Sequence, residues 1–402
     1  MNDSTPVFWN HYAVAPKYAA LAANIRVDVC IIGGGIAGLT AAYILQREGK
    51  TVCLLEAAEL GSGESNKSTA HLTSALDVRY YDLEKWHGAS GANLAAKSHG
   101  AAILKIESIV REEKIECELE RLDGYLFATP GTDSAVLDRE LAAAQRAGIS
   151  GVTIVEKSTL PFFDVGRSLK FPGQMQIRPA PYEAALARAV SGNCGKIYTK
   201  TRVTKIDTST EDVVTVTSES GFKVTSKFVV IATNQAYEPF FDLERKQDSY
   251  QTYVVGFPIR KGSVPRSLYW DTLDPYHYVR LSTISSEQDV LIIGGEDRPE
   301  ASANHSPAYE RLIAWTKERF PMVTECTYRW TGEILEPKDG LAFLGRDPNG
   351  KQNVFVISGE SGNGITHATI GAVLISDQML GRPNDWEEIY NPAREVRAEI
   401  KT

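Results

Sequence analysis

The clearest pattern of apolar and polar positions lies near the start of the chain. Residues 27–32 (VDVCII) form an almost continuous apolar run, which is typical of a buried β-strand. A glycine-rich turn follows, and residues 39–48 (LTAAYILQRE) combine good helix formers with helical apolar spacing. Residues 51–55 (TVCLL) are a second apolar run, closed by Glu56. Together these elements predict one βαβ unit.

Patterns of both the parallel and the antiparallel kind follow along the chain. Apolar strands are predicted at 228–232 and 354–358, and a glycine cluster and a helix over 365–380 follow the second. Residues 250–293 alternate apolar and polar positions, which predicts an antiparallel sheet with one face in solvent. We therefore expect an α/β protein, in which a discontinuous Rossmann-like domain receives an inserted, mostly antiparallel α+β domain.

The domain boundaries are predicted where the pattern changes. No internal repeat or low-complexity tract interrupts the chain. The nucleotide-binding domain is predicted at 1–78, 165–240 and 331–402, and the substrate domain at 79–164 and 241–330.

Three glycines between the first strand and the first helix carry the strongest chemical signal. Gly33, Gly35 and Gly38 form the pattern GxGxxG, and Glu56 follows at the end of the next strand, about 20 residues later. The first glycine allows a tight turn, the second allows close approach of a pyrophosphate, and the third allows close packing of the helix. Glu56 is placed to accept ribose hydroxyls. The alternative is a purely structural turn, which this complete context disfavours.

A second glycine cluster, at 359–364, also stands between a predicted strand and a predicted helix. The start of that helix presents unpaired N–H groups and a partial positive charge, which suit an anionic ligand group. Taken alone, this cluster is a structural turn. Paired with the first fingerprint, it is interpreted as the other end of one coenzyme site.

Composition narrows the classes of protein further. Hydrophobic residues are 43% and charged residues 23% of the 402 positions, as in ordinary globular proteins. The formal net charge of −8 argues against nucleic-acid binding through a basic surface. The longest nearly uncharged run, 29–45, has glycines at its centre and fits a buried strand and helix better than a membrane span.

Cysteine usage and the N-terminal sequence predict a compartment. The five cysteines are scattered and form no CxxC pair, so we expect no metal site and a reducing environment. The opening MNDSTPVFWNHY shows no basic region before an apolar stretch, so we expect no signal peptide and a cytoplasmic location.

Further segments resemble a known family. The matching segments are 27–56, 61–74, 171–190, 228–234, 339–345 and 353–383. They resemble the D-amino-acid oxidase/glycine oxidase family of FAD-dependent oxidoreductases. The sequences of segments 61–74 (GSGESNKSTAHLTS) and 359–371 are most similar to those of a subgroup whose members usually carry a C-terminal Rieske iron–sulfur domain. Because the sequence holds no CxH…CxxH pattern, we expect no Rieske centre in it.

The resemblance implies FAD as the cofactor and assigns its contacts by position. The segment after the ribose-binding acid would wrap the pyrophosphate and the flavin edge, and the C-terminal glycine cluster would lie beside the flavin pyrimidine ring. The implied FAD contacts are Gly33, Gly35, Ile36, Ala37, Gly38, Glu56, Ala57, Ser68, Thr69, Ala70, His71, Val203, Ala232, Thr233, Gly359, Gly362, Asn363, Gly364, Ile365 and Thr366.

The resemblance leaves covalent attachment of the flavin open. Some relatives attach flavin through a cysteine, and Cys326 is the tempting position, but the alignment through 339–340 puts Gly332 there instead. Cys326 is therefore interpreted as structural. Other relatives use a histidine near the second motif, which makes His71 a candidate, with noncovalent contact as the favoured alternative.

Substrate recognition departs from the family pattern. Where glycine oxidase-like members hold the substrate carboxylate with an arginine, this sequence has Ile334, close to Glu336. The substrate is then either a cationic amine or a carboxylate held by Arg280, near Tyr278. The alternative for both of these residues is a position on the solvated face of the sheet.

The candidate catalytic residues are therefore His71, Tyr278, Arg280, Glu336 and Glu360. Glu360 is interpreted as facing the flavin, with a solvated loop acid as the alternative. His367, early in the last helix, is either a core residue or a site residue.

The implied reaction is oxidation of a C–N bond of an amine or amino acid. A hydride would pass to flavin N5, the imine would hydrolyse, and O2 would take the electrons. One alternative is a dehydrogenase that passes electrons to a partner protein or quinone. Another is a flavin-binding protein with a regulatory role.

Overall fold

The computed structural model describes residues 5–129, 134–156, 160–210, 212–234, 243, 245–299 and 306–396. Within them the helices are α1 (Ile36–Arg47), α2 (Tyr80–Glu112), α3 (Ala135–Arg146), α4 (Pro179–Gly192), α5 (Ser306–Arg319), α6 (Gly364–Leu380) and α7 (Glu387–Tyr390). The strands are β1 (Ile25–Ile32), β2 (Val52–Leu55), β3 (His71–Leu72), β4 (Glu120–Phe127), β5 (Thr153–Val155), β6 (Ser168–Gln176), β7 (Lys196–Tyr198), β8 (Val203–Asp207), β9 (Val214–Ser218), β10 (Lys223–Asn234), β11 (Gln247–Arg260), β12 (Leu268–Asp271), β13 (His277–Thr283), β14 (Gln288–Pro299), β15 (Tyr328–Pro337), β16 (Phe343–Arg346) and β17 (Val354–Ser358). The predicted α/β class is confirmed.

The first sheet positions both glycine segments. Its strand order is β16-β17-β10-β1-β2-β7, with β17, β10, β1, β2 and β7 parallel, and the hairpin β8–β9 joins beside β10. Strands β1 and β17 are separated only by β10, and the helices that follow them, α1 and α6, pack against each other. Parallel strands end at one edge of a sheet, so both glycine turns lie at the same edge.

The second sheet has the strand order β15-β11-β14-β13-β12-β4-β6-β3, and β5 pairs with β6. Its pairs are antiparallel except for β12 with β4. The antiparallel pattern predicted for 250–293 is present as β11 to β14.

The expectation that this sheet has one face in solvent is wrong. The side chains of β14 are buried from Asp289 to Glu296 on both faces. Helix α5 covers one face through Tyr309 and Leu312, and the other face packs on the N-terminal residues Phe8 and Trp9. Because both faces are covered by other parts of the chain, the strands are nearly continuously apolar, as buried strands are.

The predicted domain boundaries remain a prediction. Two short stretches assigned by sequence to the nucleotide-binding domain, His71–Leu72 and Ser168–Gln176, form strands of the second sheet. Helix α2 contains one residue with non-helical, positive-φ backbone angles, Gly88 (φ 70°, ψ 170°).

A buried acid meets the start of α2. Glu140 of α3 is fully buried and accepts the backbone N–H of Tyr80 at 3.1 Å, while its Oε2 has no hydrogen-bond partner in the described part of the chain. Burial raises the pKa of Glu140 to about 7. The folded protein therefore holds this proton at a pH where the unfolded chain has lost it.

We expect Glu140→Gln to remove part of the pH dependence of stability. As the pH rises from 4.5 to 7, the free energy of unfolding of the wild type falls relative to that of the variant, because only the folded wild type retains the proton on Glu140. The loss is about 1.4 kcal/mol for each unit by which the pKa in the folded state exceeds that in the unfolded chain. Thermal unfolding at pH 5 and pH 8 measures this, and the variant should gain on the wild type at pH 8. Glu84→Gln, which breaks the ion pair with Arg146, is the control. An unchanged difference at the two pH values would contradict the expectation.

Candidate active site

The turn after β1 is shaped by glycine. Gly33 has a φ of +109°, and its backbone N–H donates to the Leu55 carbonyl of β2 at 2.9 Å. A Cβ at Gly38 would lie 2.0 Å from the Gly33 carbonyl oxygen, so only glycine lets α1 start this close to the strand. Helix α1 begins at Ile36 without a side-chain cap from its N-cap residue, Gly35. The result is a helix N-terminus that suits a pyrophosphate.

Glu56 lies beside that turn, at the end of β2. Its Oε2 accepts the N–H of Gly34 and its Oε1 accepts the N–H of Ala58, both at 2.7 Å. A carboxylate has about four acceptor sites, so each oxygen retains one for a hydroxyl group. The residues present therefore fit the ribose of a dinucleotide.

The second glycine segment connects β17 to α6. Gly359 and Gly362 have φ values of +69° and +51°, and Asn363 caps α6 without a side-chain hydrogen bond of its own to the helix. Thr73 donates through Oγ1 to Asn363 Oδ1 at 3.3 Å, and Thr366 donates through Oγ1 to the Asn363 carbonyl at 2.8 Å. The first of these bonds ties the loop to the segment that follows β3, and the second lies within the first turn of α6.

Both glycine segments line one cavity of about 510 Å³, a size typical of small-molecule sites. The sequence-predicted residues in its wall are Gly33, Gly35, Ile36, Ala37, Glu56, Ala57, Ser68, Thr69, His71, Val203, Ala232, Thr233, Tyr278, Glu360, Gly362, Asn363, Gly364 and Ile365. The two turns, far apart in sequence, are thus brought together as expected.

Four predicted cofactor contacts lie behind the wall rather than in it. Gly38 is packed against β1, and Thr366 is fully buried below the loop of Asn363. Ala70 is buried at a φ of 55°, and a Cβ at Gly359 would meet Gln247 and Pro337. These positions shape the backbone that faces the cavity.

Two predicted catalytic residues are not brought to the cavity wall. Glu336 lies on β15 next to the wall residue Leu335 but outside the wall. Arg280 is fully buried, and its Nη1 donates to the carbonyl oxygens of Thr69, Ala70 and Ile177. The expected role of Arg280 in holding a substrate carboxylate is corrected by this placement: its guanidinium fixes the turn before β3, with the Trp9 ring 5.0 Å away.

Aromatic side chains form one end of the cavity. The rings of His71 and Tyr278 meet edge to face at 5.6 Å between centroids, and Trp270 lies 6.3 Å from His71. The Tyr278 hydroxyl is 3.1 Å from Thr252 Oγ1, and burial raises its pKa. Burial, together with the charge of Arg280, lowers the pKa of His71 to about 3, so this imidazole is neutral near pH 7.

Carboxyl groups are also part of the cavity wall. Glu360 and Asp77 both line the cavity. Burial raises the pKa of Glu360 to about 7 and that of Asp77 to about 6. Asp77 also lies against the glycine loop: its Oδ2 is so near Gly362 that a Cβ added there would be only 1.6 Å away.

The other residues discussed from sequence are structural. His367 is fully buried; its Nδ1 donates to the Glu360 carbonyl at 2.7 Å and its Nε2 lies 3.2 Å from His99 Nε2. Cys326 packs against the apolar cluster that includes Tyr309 and Leu312 of α5. Its thiol donates to the Tyr328 carbonyl at 3.3 Å, away from the cavity. Its structural interpretation agrees with this position.

Sequence reasoning missed several wall residues. Asp77, Trp270, Tyr276 and Thr252 belong to no motif, and only their place at strand ends or on β11 brings them to the cavity. Ser65 lies in the matching segment 61–74 and carries no signal of its own there; its Oγ accepts the Ile36 N–H at 2.9 Å.

The described ranges contain neither a metal-binding cluster nor a membrane-spanning helix. These residues hold no group of three or more His, Cys, Asp or Glu side chains arranged to bind a metal ion. None of the helices described there has the length and apolarity needed to cross a bilayer.

Glu56→Gln is expected to weaken FAD binding about 10- to 100-fold, the range for a hydrogen bond to a charged group. Glutamine keeps the shape but loses the charge that strengthens the bonds to ribose hydroxyls. Equilibrium titration of the apoprotein with FAD measures this. Glu59→Gln, at an exposed acid paired with Lys200, is the matched control and should bind as the wild type does. Equal affinities of the Glu56 variant and wild type would contradict the assignment.

The chain is similar to known proteins along nearly its whole length. It is 26% identical over 396 residues to YhfW of Bacillus subtilis (strain 168), named as a Rieske 2Fe-2S iron-sulfur protein, with 98% of this chain and 76% of that protein covered. It is 26% identical over 407 residues to gamma-glutamylputrescine oxidoreductase of Escherichia coli (strain K12), covering 95% and 91%. The structure of glycine oxidase from Geobacillus kaustophilus aligns with a TM-score of 0.74 at 19% identity, covering 92% and 100%.

A family profile settles the classification. The family described as FAD dependent oxidoreductase, DAO, matches residues 28–378, a range that contains both glycine segments and the whole second sheet. The expected family, the enzyme class and FAD as cofactor are confirmed, as is the similarity to a Rieske-named relative. The chain belongs to the DAO family of FAD-dependent oxidoreductases.

Proposed function

We propose that this enzyme oxidises a C–N bond of an amine or amino acid, with hydrolysis of the resulting imine and O2 as electron acceptor. The observation that carries the proposal is that the dinucleotide turn at Gly33 and the aromatic end at Tyr278 line one continuous cavity. Such a cavity offers room for a small substrate next to the expected flavin position. The gamma-glutamylputrescine oxidoreductase and glycine oxidase relatives favour a C–N substrate.

The roles of the chain's own residues follow from their placement. Glu56 and the α1 N-terminus would hold the adenosine diphosphate half, and the loop around Gly362 would hold the flavin. Bound flavin supplies a two-electron acceptor. The N-terminal end of α6 offers N–H groups and a positive dipole end to negative charge that develops there. The rings of His71 and Tyr278 exclude water from the reacting carbon.

One relative favours an electron acceptor other than O2. The match to a Rieske-named protein favours a dehydrogenase that passes electrons to a partner protein or quinone. Both alternatives share the same half-reaction at the substrate, so they differ only in how the reduced enzyme is reoxidised.

Anaerobic reduction of the FAD-loaded enzyme tests the proposal. Amines, N-methyl amino acids and D-amino acids are added separately while the visible flavin absorbance is recorded, and air is then admitted. Bleaching followed by recovery with one peroxide per turnover is the expected result. Bleaching without recovery in air would move the assignment to the dehydrogenase. A flavin that no amine or amino acid bleaches would contradict the catalytic proposal and favour a regulatory role.

A further inference from the structure

The end of the cavity away from the dinucleotide turn is walled by aromatic rings and the carboxyl group of Asp77, and Glu333 and Glu360 line the same cavity. We call this the aromatic-acid end and define it by Asp77, Trp270, Tyr276 and Tyr278. The rings of Tyr276 and Tyr278 are 5.8 Å apart between centroids, and the Tyr276 hydroxyl donates to Asp77 Oδ2 at 3.4 Å, a long bond. Electron-rich rings beside a carboxylate are the surroundings that an organic cation prefers.

A second carboxylate stands behind this wall. Asp297 of β14 interacts electrostatically with Asp77 and with Tyr278, and its Oδ1 is buried without a hydrogen-bond partner in the described part of the chain. Burial, followed by the charges of Asp77 and Glu336, raises the pKa of Asp297 to about 7. Like charges held together in a buried place are relieved by a bound cation.

Among the described residues, no arginine or lysine at this end lies in the cavity wall to hold a substrate carboxylate. Arg79 interacts electrostatically with Asp77 from outside the wall, where its Nη2 donates to the Asp271 carbonyl at 3.4 Å. The cationic residues in the cavity wall are Lys67, which pairs with Glu64 at 2.6 Å, and Arg202, which is exposed beside Val203. Arg280 binds backbone carbonyl oxygens behind the wall. The cavity wall carries the acids Asp77, Glu333 and Glu360 instead, and a substrate carboxylate next to Asp77 would be repelled.

We propose that the substrate is a cationic amine with no carboxylate on the reacting carbon, and that its ammonium group is bound between Asp77 and the rings of Tyr276 and Tyr278. The Asp77 carboxylate takes one ammonium proton there, which frees the nitrogen lone pair that oxidation of the neighbouring carbon to the imine requires. This inference rests on the proposed oxidation of a C–N bond and names its substrate class. It separates this chain from relatives whose names specify an amino acid, because the charge at this end of the cavity is negative.

Matched ligand pairs test the proposal on the FAD-loaded enzyme. Butylamine is compared with norvaline, and 2-phenylethylamine with phenylalanine, in both enantiomers of each amino acid; each pair differs by one carboxylate. Binding is followed by perturbation of the oxidised flavin spectrum and reaction by anaerobic bleaching. The amines are expected to bind at least about 10-fold tighter than their carboxylated partners, since ammonium–aromatic contacts and like-charge repulsion act in the same direction.

An unreactive cation gives a readout that does not depend on turnover. Tetramethylammonium, which has no nitrogen lone pair, is expected to bind the oxidised enzyme while acetate does not. Asp77→Asn should reduce tetramethylammonium affinity about 10-fold, a change of one charge-assisted contact. Asp138→Asn, at a surface acid paired with Arg167, is the matched control and should leave the affinity unchanged. Where Asp77→Asn loses FAD, Asp297→Asn takes its place.

The outcomes distinguish failure of the proposed substrate class from failure of the proposed C–N oxidation. Bleaching by amino acids but not by amines, or equal affinity for the two members of each pair, overturns the substrate class and leaves C–N oxidation standing. Tetramethylammonium affinity that neither Asp77→Asn nor Asp297→Asn changes overturns the assigned binding group. Tetramethylammonium binding with no bleaching by any amine or amino acid supports the cation site and contradicts the oxidation itself.

Discussion

Gly33→Ala is expected to give a protein that no longer retains FAD. A Cβ at this position would lie 2.2 Å from the Ala232 carbonyl oxygen and 2.8 Å from the Ala232 carbonyl carbon, both backbone atoms of β10 that cannot turn aside. The φ of +109° is also one that side-chain-bearing residues rarely adopt, at a cost of about 1–3 kcal/mol. The turn after β1 and the end of β10 must therefore move apart, which distorts the backbone that would hold the pyrophosphate.

The measurement is the flavin content of the purified variant and its affinity for added FAD, which should fall at least about 100-fold, the effect of losing some 3 kcal/mol. Gly63→Ala is the matched control: it lies in the cavity wall, has ordinary backbone angles (φ −89°), and a Cβ there would contact nothing within 4 Å. A Gly33→Ala protein that is as yellow as the Gly63→Ala protein would contradict the assigned role of the turn.

The dinucleotide turn could be predicted because its chemistry is local. Gly33, Gly35 and Gly38 stand within a few residues of one another, so the sequence shows their spacing, although the carbonyl oxygen that Gly33 must clear belongs to Ala232 of the distant strand β10. The second turn at Gly362 was interpretable only as its partner, since a glycine between a strand and a helix is common. Its place in the same cavity follows from the parallel order of β17, β10 and β1, which periodicity does not encode.

The aromatic-acid end could not be predicted in the same way. Asp77 lies against Gly362, which is far away in sequence, and accepts a hydrogen bond from Tyr276, the residue directly before β13. From the sequence, Arg280 is predicted to lie on a strand whose side chains alternate between the core and solvent. In the structure, both faces of that sheet are covered by other parts of the chain. A partial signal did exist, because the runs VVGF at 254–257 and VLII at 290–293 are continuously apolar, as strands buried on both faces are.

The space that Tyr278 occupies depends on a glycine on the neighbouring strand. Gly294 of β14 pairs with Tyr278 of β13, and a Cβ on Gly294 would lie 2.0 Å from Tyr278 Cζ and 2.2 Å from its hydroxyl oxygen. The tyrosine ring therefore crosses the neighbouring strand where only glycine leaves room. This contact places the ring and its hydroxyl at Thr252 in the cavity wall.

Gly294→Ala is accordingly expected to displace the Tyr278 ring and to slow anaerobic flavin reduction about 100-fold, the usual result of misplacing a group by about 1 Å in an active site. FAD content should stay near that of the wild type, because Gly294 lies outside the cavity wall and away from both glycine turns. The double variant Gly294→Ala/Tyr278→Ala decides the cause. If Gly294 acts through Tyr278, the alanine at 294 adds nothing once the ring is removed, whereas two additive losses would show that the glycine serves the sheet itself.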